Sequence, residues 1–262
     1  MRPNNLRTIW NSGGAVINGW LGIPSSISAE NMAQCGWDSL TVDLQHGHID
    51  YATAVTMLQA ISTKPITPLV RAPWNEPGII MKLLDAGAYG VICPMVNSRA
   101  DCEAFVGACR YPPRGYRSYG PVRASWYGGG NHLKEADDTL VTLAMIETKQ
   151  ALDNLDAILG VPGLDAAYIG PSDLSISLGV DPAGGIPRDP IVLEAVKHVL
   201  ERAKKHNVIP CMHCGSTAMA REMIAMGFRL VTVLYDNYFL YAAASAAVKE
   251  VKEVKGEGVK GE

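Results

Sequence analysis

The chain has 262 residues, with 23 Lys and Arg against 26 Asp and Glu and a formal net charge of −3. That length accommodates one barrel-sized domain with a full core, and the near-balanced charge argues against nucleic acid or an anionic membrane as a partner. No stretch approaches the roughly 20 apolar residues of a membrane span, and residues 1–18 carry no apolar run of the kind a secretory signal needs.

In chain order, short apolar runs at 17–21, 39–42, 66–70, 90–93, 139–146, 166–169, 208–212 and 230–233 read as strands. Helical patterns near 26–35, 50–62, 75–86, 98–109, 148–159, 190–205, 216–226 and 236–252 alternate with them. Eight such strand–helix pairs predict an α/β chain folded as a closed (β/α)8 TIM barrel, one catalytic domain over residues 1–252. An open doubly wound sheet gives the same alternation, but no Gly-rich dinucleotide loop follows the first strand. Pro65, Pro162 and Gly227 punctuate the helix-to-strand junctions, as residues that stop helices do. Two connections are long, 111–138 and 180–188, and segments of that length are expected to be functional loops or interfaces. Residues 253–262 mix charge with Gly and Val and are expected to be a disordered tail.

The six cysteines, at 35, 93, 102, 109, 211 and 214, sit mostly within apolar patterns. Buried free thiols of this kind predict a cytoplasmic enzyme. Cys211 and Cys214 have redox or zinc spacing but no second pair, so barrel packing is the favoured reading, with His213 on the rim. His132, His198 and His206 have no acidic or metal-like company and read as surface residues.

Barrel active sites form where strands end. At those places stand Asp43 and His46 after strand two, Arg71 after strand three, Glu147 after strand five, and Gly170, Pro171, Ser172 and Asp173 after strand six. A carboxylate ending a buried strand is costly unless paired or bound to a cation, so Glu147 is either an ion-pair partner or a metal ligand. Asp173 alone reads as a first-turn helix acid. Together the two carboxylates suit a hard divalent cation that keeps positions open for water or substrate. The helix start near Ser172 offers free N–H groups to a substrate carboxylate. His46 titrates near neutrality and is a candidate base, with Asp43 to orient it. Arg71 stabilises an oxyanion, or else pairs with Asp43 or Glu147. Lys82 and Lys149 lie on helices, so no lysine stands ready for a Schiff base. Asp85 ends the third helix and should face the opposite end of its own barrel.

The segments VDLQH, VRAPWNEPGIIMKLLDAGAYGVICPMVNS, PPRGYRSYGP, AMIET and YIGPSDLSISLG occur in this order. Over residues 20–239 the chain resembles the HpcH/HpaI aldolases, class II enzymes that act on 4-hydroxy-2-oxo acids. The resemblance implies that Glu147 and Asp173 bind a divalent metal (Mg²⁺, Mn²⁺ or Co²⁺), that His46 and Arg71 are catalytic, and that Asp43 and Asp85 are further active-site acids. It implies that Asp85 serves an adjacent subunit, in a trimer or hexamer whose last helix is exchanged between barrels. It also implies that the Gly170–Asp173 backbone holds the carboxylate of pyruvate or hydroxypyruvate, with an aldehyde as second substrate. Arg117 is a weaker candidate, in a segment the resemblance sets near the pocket mouth. Gln45, Met145 and the loop YDNYFLY depart from the family pattern on the aldehyde side or behind the ligands. Alternatives are a coenzyme A-thioester lyase of the citrate lyase beta type, and a catalytically idle barrel scaffold.

Overall fold

A computed structural model of the chain describes residues 1–182 and 189–257. Most of the 180–188 connection and the end of the expected tail lie outside the described residues. Eight parallel strands close on themselves: β1 (Val16–Leu21), β2 (Ser39–Asp43), β3 (Thr67–Arg71), β4 (Gly90–Cys93), β5 (Val141–Ile146), β6 (Ala166–Ile169), β7 (Ile209–Cys214) and β8 (Leu230–Val233). They pair in sequence order, and β8 returns to β1 through Val16–Leu230 and Asn18–Thr232. The expected TIM barrel is the observed fold.

Alternation along each strand sorts side chains into two layers. One face fills the barrel: Val16, Trp20, Leu69, Ile92, Leu143, Tyr168 and Leu230 form one cluster. The other face meets the surrounding helices in a larger cluster that includes Leu40, Val70, Ile146 and Met212. The helices of this outer layer include α2 (Ser26–Ala33), α3 (Tyr51–Ile61), α4 (Pro77–Asp85), α5 (Arg99–Cys109), α11 (Pro190–Lys205) and α12 (Thr217–Met226). Their starts are capped locally. Asp50 accepts from the Thr53 N–H at 2.8 Å, and Glu76 accepts from Gly78 and Ile79 at 2.8 Å each, ahead of Pro77 in the first turn of α4.

Several short helices stand where the sequence pattern indicated none. α1 (Asn5–Asn11) precedes the barrel, and its Leu6 and Trp10 join the interior cluster. It therefore plugs the end where strands begin. The 111–138 connection is not structureless, because it holds α6 (Val122–Gly128) and α7 (His132–Thr139). The last of these runs through Thr139, so β5 starts at Val141 and not at 139. The helix expected at 148–159 breaks into α8 (Lys149–Asp153) and α9 (Leu155–Leu159), separated by Asn154. α10 (Pro171–Ser177) opens directly from β6. The final helix, α13 (Asp236–Glu257), leaves Leu240, Tyr241, Val248 and Val251 exposed.

Candidate active site

At the strand ends a cavity of about 430 Å³ opens, lined by Asp43, His46, Arg71, Asp173 and the Gly170–Ser172 segment. Asp43 and Arg71 are the last residues of β2 and β3 and are register partners across the strand pair. Arg71 donates from Nε to Asp43 Oδ1 at 2.8 Å and from Nη2 to Oδ2 at 2.6 Å. Trp20 Nε1 donates to Oδ2 at 3.1 Å, and the backbone N–H groups of Gln45 and His46 donate to Oδ1 at 3.0 and 3.3 Å. Burial alone would raise the Asp43 carboxyl, but the hydrogen bonds and charge of Arg71, with Trp20 and Gln45, hold it below the usual range. Asp43 is thus saturated as an acceptor. It fixes Arg71 and the loop carrying His46, and has no free lone pair with which to act as a base. The guanidinium lies over the Trp20 ring, 4.8 Å from its centroid, with Nη1 outside the Asp43 fork. The turn after Asp43 needs Gly47, since a Cβ there would collide with the Asp43 carbonyl oxygen.

Glu147 follows β5 and is 2% exposed. The Met95 N–H donates to its Oε1 at 2.7 Å, from a backbone in the left-handed region (φ 55°) that residues with a side chain seldom adopt. Oε2 faces Gly170, where a Cβ would collide with it and would stand 2.9 Å from Met145 Cε. Burial pushes the Glu147 carboxyl up to about 7; the Met95 N–H lowers it, the nearby Asp173 charge raises it and Arg71 lowers it. Asp173 stands exposed in the first turn of α10, and no side chain caps that helix start.

These features fit a hard cation. A buried carboxylate that resists ionisation, with one oxygen hydrogen-bonded to no protein group, lies beside a second carboxylate. Among the described residues no group of three or more His, Cys, Asp and Glu is arranged to hold a metal ion by itself. A cation held by Glu147 and Asp173 would therefore complete its shell with water and substrate oxygens, as Mg²⁺ does.

Of the other residues singled out in the sequence, Asp85, Cys211, His213, Cys214, Lys82 and Lys149 stand where expected, and Arg117, His132 and His206 do not. Asp85 ends α4 at the barrel end opposite the cavity and accepts from Arg117 Nη2 at 2.6 Å. Arg117, expected near the mouth, is 2% exposed at that same far end, with its guanidinium 4.6 Å from the Tyr111 ring centroid. His132 is not a surface residue: it is 5% exposed, with its ring 6.3 Å from Tyr111. His206 has acidic company in Asp156, 3.0 Å away. Cys211 and Cys214 are buried free thiols in β7, and His213 between them lines the cavity. Lys82 lies over Tyr51 and Lys149 pairs with Asp153 at 2.7 Å, so neither reaches the cavity. Sequence reasoning missed Trp20 and the Met95 N–H. The first was foreshadowed by Asn18 two residues earlier, a polar side chain at an inward position of an apolar strand. The second is a backbone group and leaves no mark in side-chain pattern.

Residues 18–242 match the family described as HpcH/HpaI aldolase/citrate lyase. The chain belongs to that family. It is 43% identical over 249 residues to a hydroxypyruvate/pyruvate aldolase of Rhizorhabdus wittichii, covering 95% of this chain and 99% of the relative. It is 36% identical to a 4-hydroxy-2-oxo-heptane-1,7-dioate aldolase of Salmonella heidelberg, covering 98% of each. The crystal structure of an HpcH/HpaI aldolase/citrate lyase family protein from Burkholderia cenocepacia superimposes with a TM-score of 0.87 at 30% identity, over 94% of this chain and 98% of that one. As a member of the HpcH/HpaI family this chain is a carbon–carbon lyase. None of its helices among the described residues is long and apolar enough to cross a membrane.

Proposed function

We propose that the barrel, over residues 1–252, is a class II aldolase. It cleaves a 4-hydroxy-2-oxo acid reversibly to pyruvate or hydroxypyruvate and an aldehyde. The observation that carries the reading is the meeting of the Asp43–Arg71 fork, His46 and Asp173 on one strand-end cavity, with the buried Glu147 carboxylate against the Gly170 that lines it.

Glu147 and Asp173 would hold a divalent cation (Mg²⁺, Mn²⁺ or Co²⁺), which supplies Lewis acidity toward the substrate keto oxygen when bound. The uncapped N–H groups of Ser172 and Asp173 receive the substrate carboxylate, helped by the Gly170–Pro171 turn that brings the backbone close. Arg71, immobilised by Asp43, directs its remaining N–H toward the keto oxygen as that oxygen gains charge. His46 stands exposed at the cavity edge and takes the C4 hydroxyl proton, directly or through a water. The C4–O bond becomes a carbonyl, the C3–C4 bond breaks, and its electron pair forms the C2–C3 double bond of the enolate. Protonation at C3 gives the oxo acid. Synthesis runs the same steps backwards.

The family resemblance further supports a homo-oligomer, trimer or hexamer, in which α13 is exchanged and Asp85 serves a neighbour's site. The exposed apolar side chains of α13 suit that assembly. Six free cysteines, five of them buried, favour a cytoplasmic location.

Exchange of the pyruvate C3 protons for deuterium, followed by ¹H NMR, tests the chemistry. With Mg²⁺ present the exchange is expected to be enzyme-dependent, to stop with a strong chelator and to return on adding metal. It should be lost in Arg71→Ala with the fold intact. Exchange indifferent to chelator, or a near-normal rate in Arg71→Ala, sinks the mechanism.

A further inference from the structure

Through the apolar barrel interior runs a connected line of polar side chains. The Ser39 and Thr41 hydroxyls donate to Asn18 Oδ1 at 2.8 and 3.1 Å. Asn18 Nδ2 donates to Thr232 Oγ1 at 2.9 Å, and the Tyr168 hydroxyl lies 2.7 Å from the same oxygen. Tyr168 Oη also lies 3.0 Å from His213 Nδ1. Asn18, Thr232 and Tyr168 are fully buried, whereas His213, at the far end, lines the cavity.

Two proton placements satisfy this line: Thr232 donates to Tyr168 and Tyr168 to Nδ1, or Tyr168 donates to Thr232 and the ring donates from Nδ1 to Tyr168. In the second placement Nε2 keeps its lone pair, and the selectivity proposed below rests on that one. Burial and then the Arg71 charge hold the imidazole down at about 4, against a smaller opposing effect of Asp43, so the ring is neutral at working pH. Trp20 meets it edge-on, with ring centroids 5.0 Å apart and planes at 86°, and limits its rotation. Nε2 has no hydrogen bond within the protein and is not among the buried polar atoms that lack a partner, which leaves it open to the cavity.

His46, His48 and Asn237 also offer acceptors to this cavity, but His46 is assigned the C4 hydroxyl proton, Asp43 is saturated, the carboxylates Glu147 and Asp173 suit a cation, and Arg71 and the α10 N–H groups only donate. The proposed reaction leaves His213 unused. We propose that His213 Nε2 accepts a hydrogen bond from a substrate hydroxyl and makes the enzyme select hydroxylated substrates over their deoxy counterparts. This rests on the aldolase reading above. The hydroxyl has two chemical sources: C3 of the oxo acid, or the carbon next to the aldehyde carbonyl. A methyl group in its place would leave the lone pair unpaired away from water, which disfavours the deoxy substrate.

Two isosteric pairs separate the sources. Hydroxypyruvate is compared with 2-oxobutanoate against one fixed aldehyde, and glycolaldehyde with propanal against pyruvate, in Mg²⁺-loaded enzyme. His213→Leu is expected to lower the hydroxyl/deoxy ratio of kcat/KM about tenfold in one pair, which names the source. His213→Gln, which keeps an acceptor oxygen, should retain more of the preference. Tyr168→Phe, which releases the tautomer, should lower the same ratio by a smaller factor. Turnover with both ratios unchanged in His213→Leu overturns the assignment and leaves the aldolase reading standing. Absence of turnover in the wild type with every pair sinks the aldolase reading and the selectivity with it. A further measurement needs no turnover: ¹⁵N NMR of the His213 ring in the free protein at neutral pH. A neutral ring protonated on Nδ1 is expected; a proton on Nε2, or an imidazolium, overturns the proposal.

Discussion

Gly170 shows how much one absent side chain does. A methyl group there would press on the Glu147 carboxylate and on Met145. Gly170→Ala should therefore displace the proposed cation ligand while leaving the barrel folded. We expect Mg²⁺ or Mn²⁺ affinity to fall roughly ten- to a hundredfold, the range seen when groups supporting a metal ligand are disturbed. Calorimetric titration checks it, and unchanged affinity would count against Glu147 as a ligand. Glu147 itself gives a pH signature. Its carboxyl is raised by burial from the ordinary 4.5 to about 7, so the folded chain holds this proton more tightly than the unfolded chain. Between those values the metal-free protein should lose stability as pH rises, with no further loss from this group above 7. Thermal melts of wild type and Glu147→Gln should diverge across that window, the wild type becoming the less stable of the two. Added Mg²⁺ should offset the penalty and bind more tightly as pH rises toward 7; parallel melting curves at every pH would refute this. At this scale the sequence was a good guide to which residues meet, because each strand-end position fixes the rim to which a side chain belongs. It was a poorer guide to their partners. That Asp43 spends all its lone pairs on Arg71, Trp20 and its own loop depends on side-chain directions, which no spacing encodes.

At the scale of elements, the eight strands were legible because each is a short apolar run between helical patterns. α1, α6 and α7 were not. They are seven or eight residues long, too short for a 3.6-residue period to stand out. α1 is held by tertiary contacts and a single cap. Asn4 caps it by accepting from the Leu6 N–H at 3.1 Å, and its amide donates to the carbonyls of Tyr89 at 3.2 Å and Thr139 at 2.8 Å. Asn4→Ala removes the cap and takes one of two donors from each carbonyl, Tyr89 keeping the Val141 N–H and Thr139 keeping Arg7 Nε. A loss of about 1–2 kcal/mol of stability is expected, read by chemical denaturation, with kcat/KM unchanged. A fall in kcat/KM at full stability would mean that the plug communicates with the cavity at the other end.

For the whole molecule, the cavity and the Asp85–Arg117 pair lie at opposite ends of one barrel. If Asp85 acts in a neighbour's site, two disabled variants should rescue one another. His46→Ala and Asp85→Asn, each inactive alone, are expected to regain measurable activity when unfolded and refolded as a mixture, since some sites then combine an intact His46 with an intact Asp85. No recovery, in a mixture shown by sedimentation to contain both chains, would return Asp85 to a structural role beside Arg117. This relation between copies was implied by family resemblance alone, for a single chain's periodicity describes only its own barrel.

The α1 plug has a kinetic consequence. With Leu6 and Trp10 packed into the interior where the strands begin, the barrel is closed at that end, and among the described residues the cavity opens at the other. Both products of a cleavage must leave by the route the substrate entered, and in turn. In the proposed arrangement the oxo acid is anchored deepest, at Arg71 and the α10 backbone, so the aldehyde departs first and the oxo acid last. Steady-state inhibition should then be competitive for the oxo acid and noncompetitive for the aldehyde against the aldol substrate, a queue imposed by architecture and not by affinity.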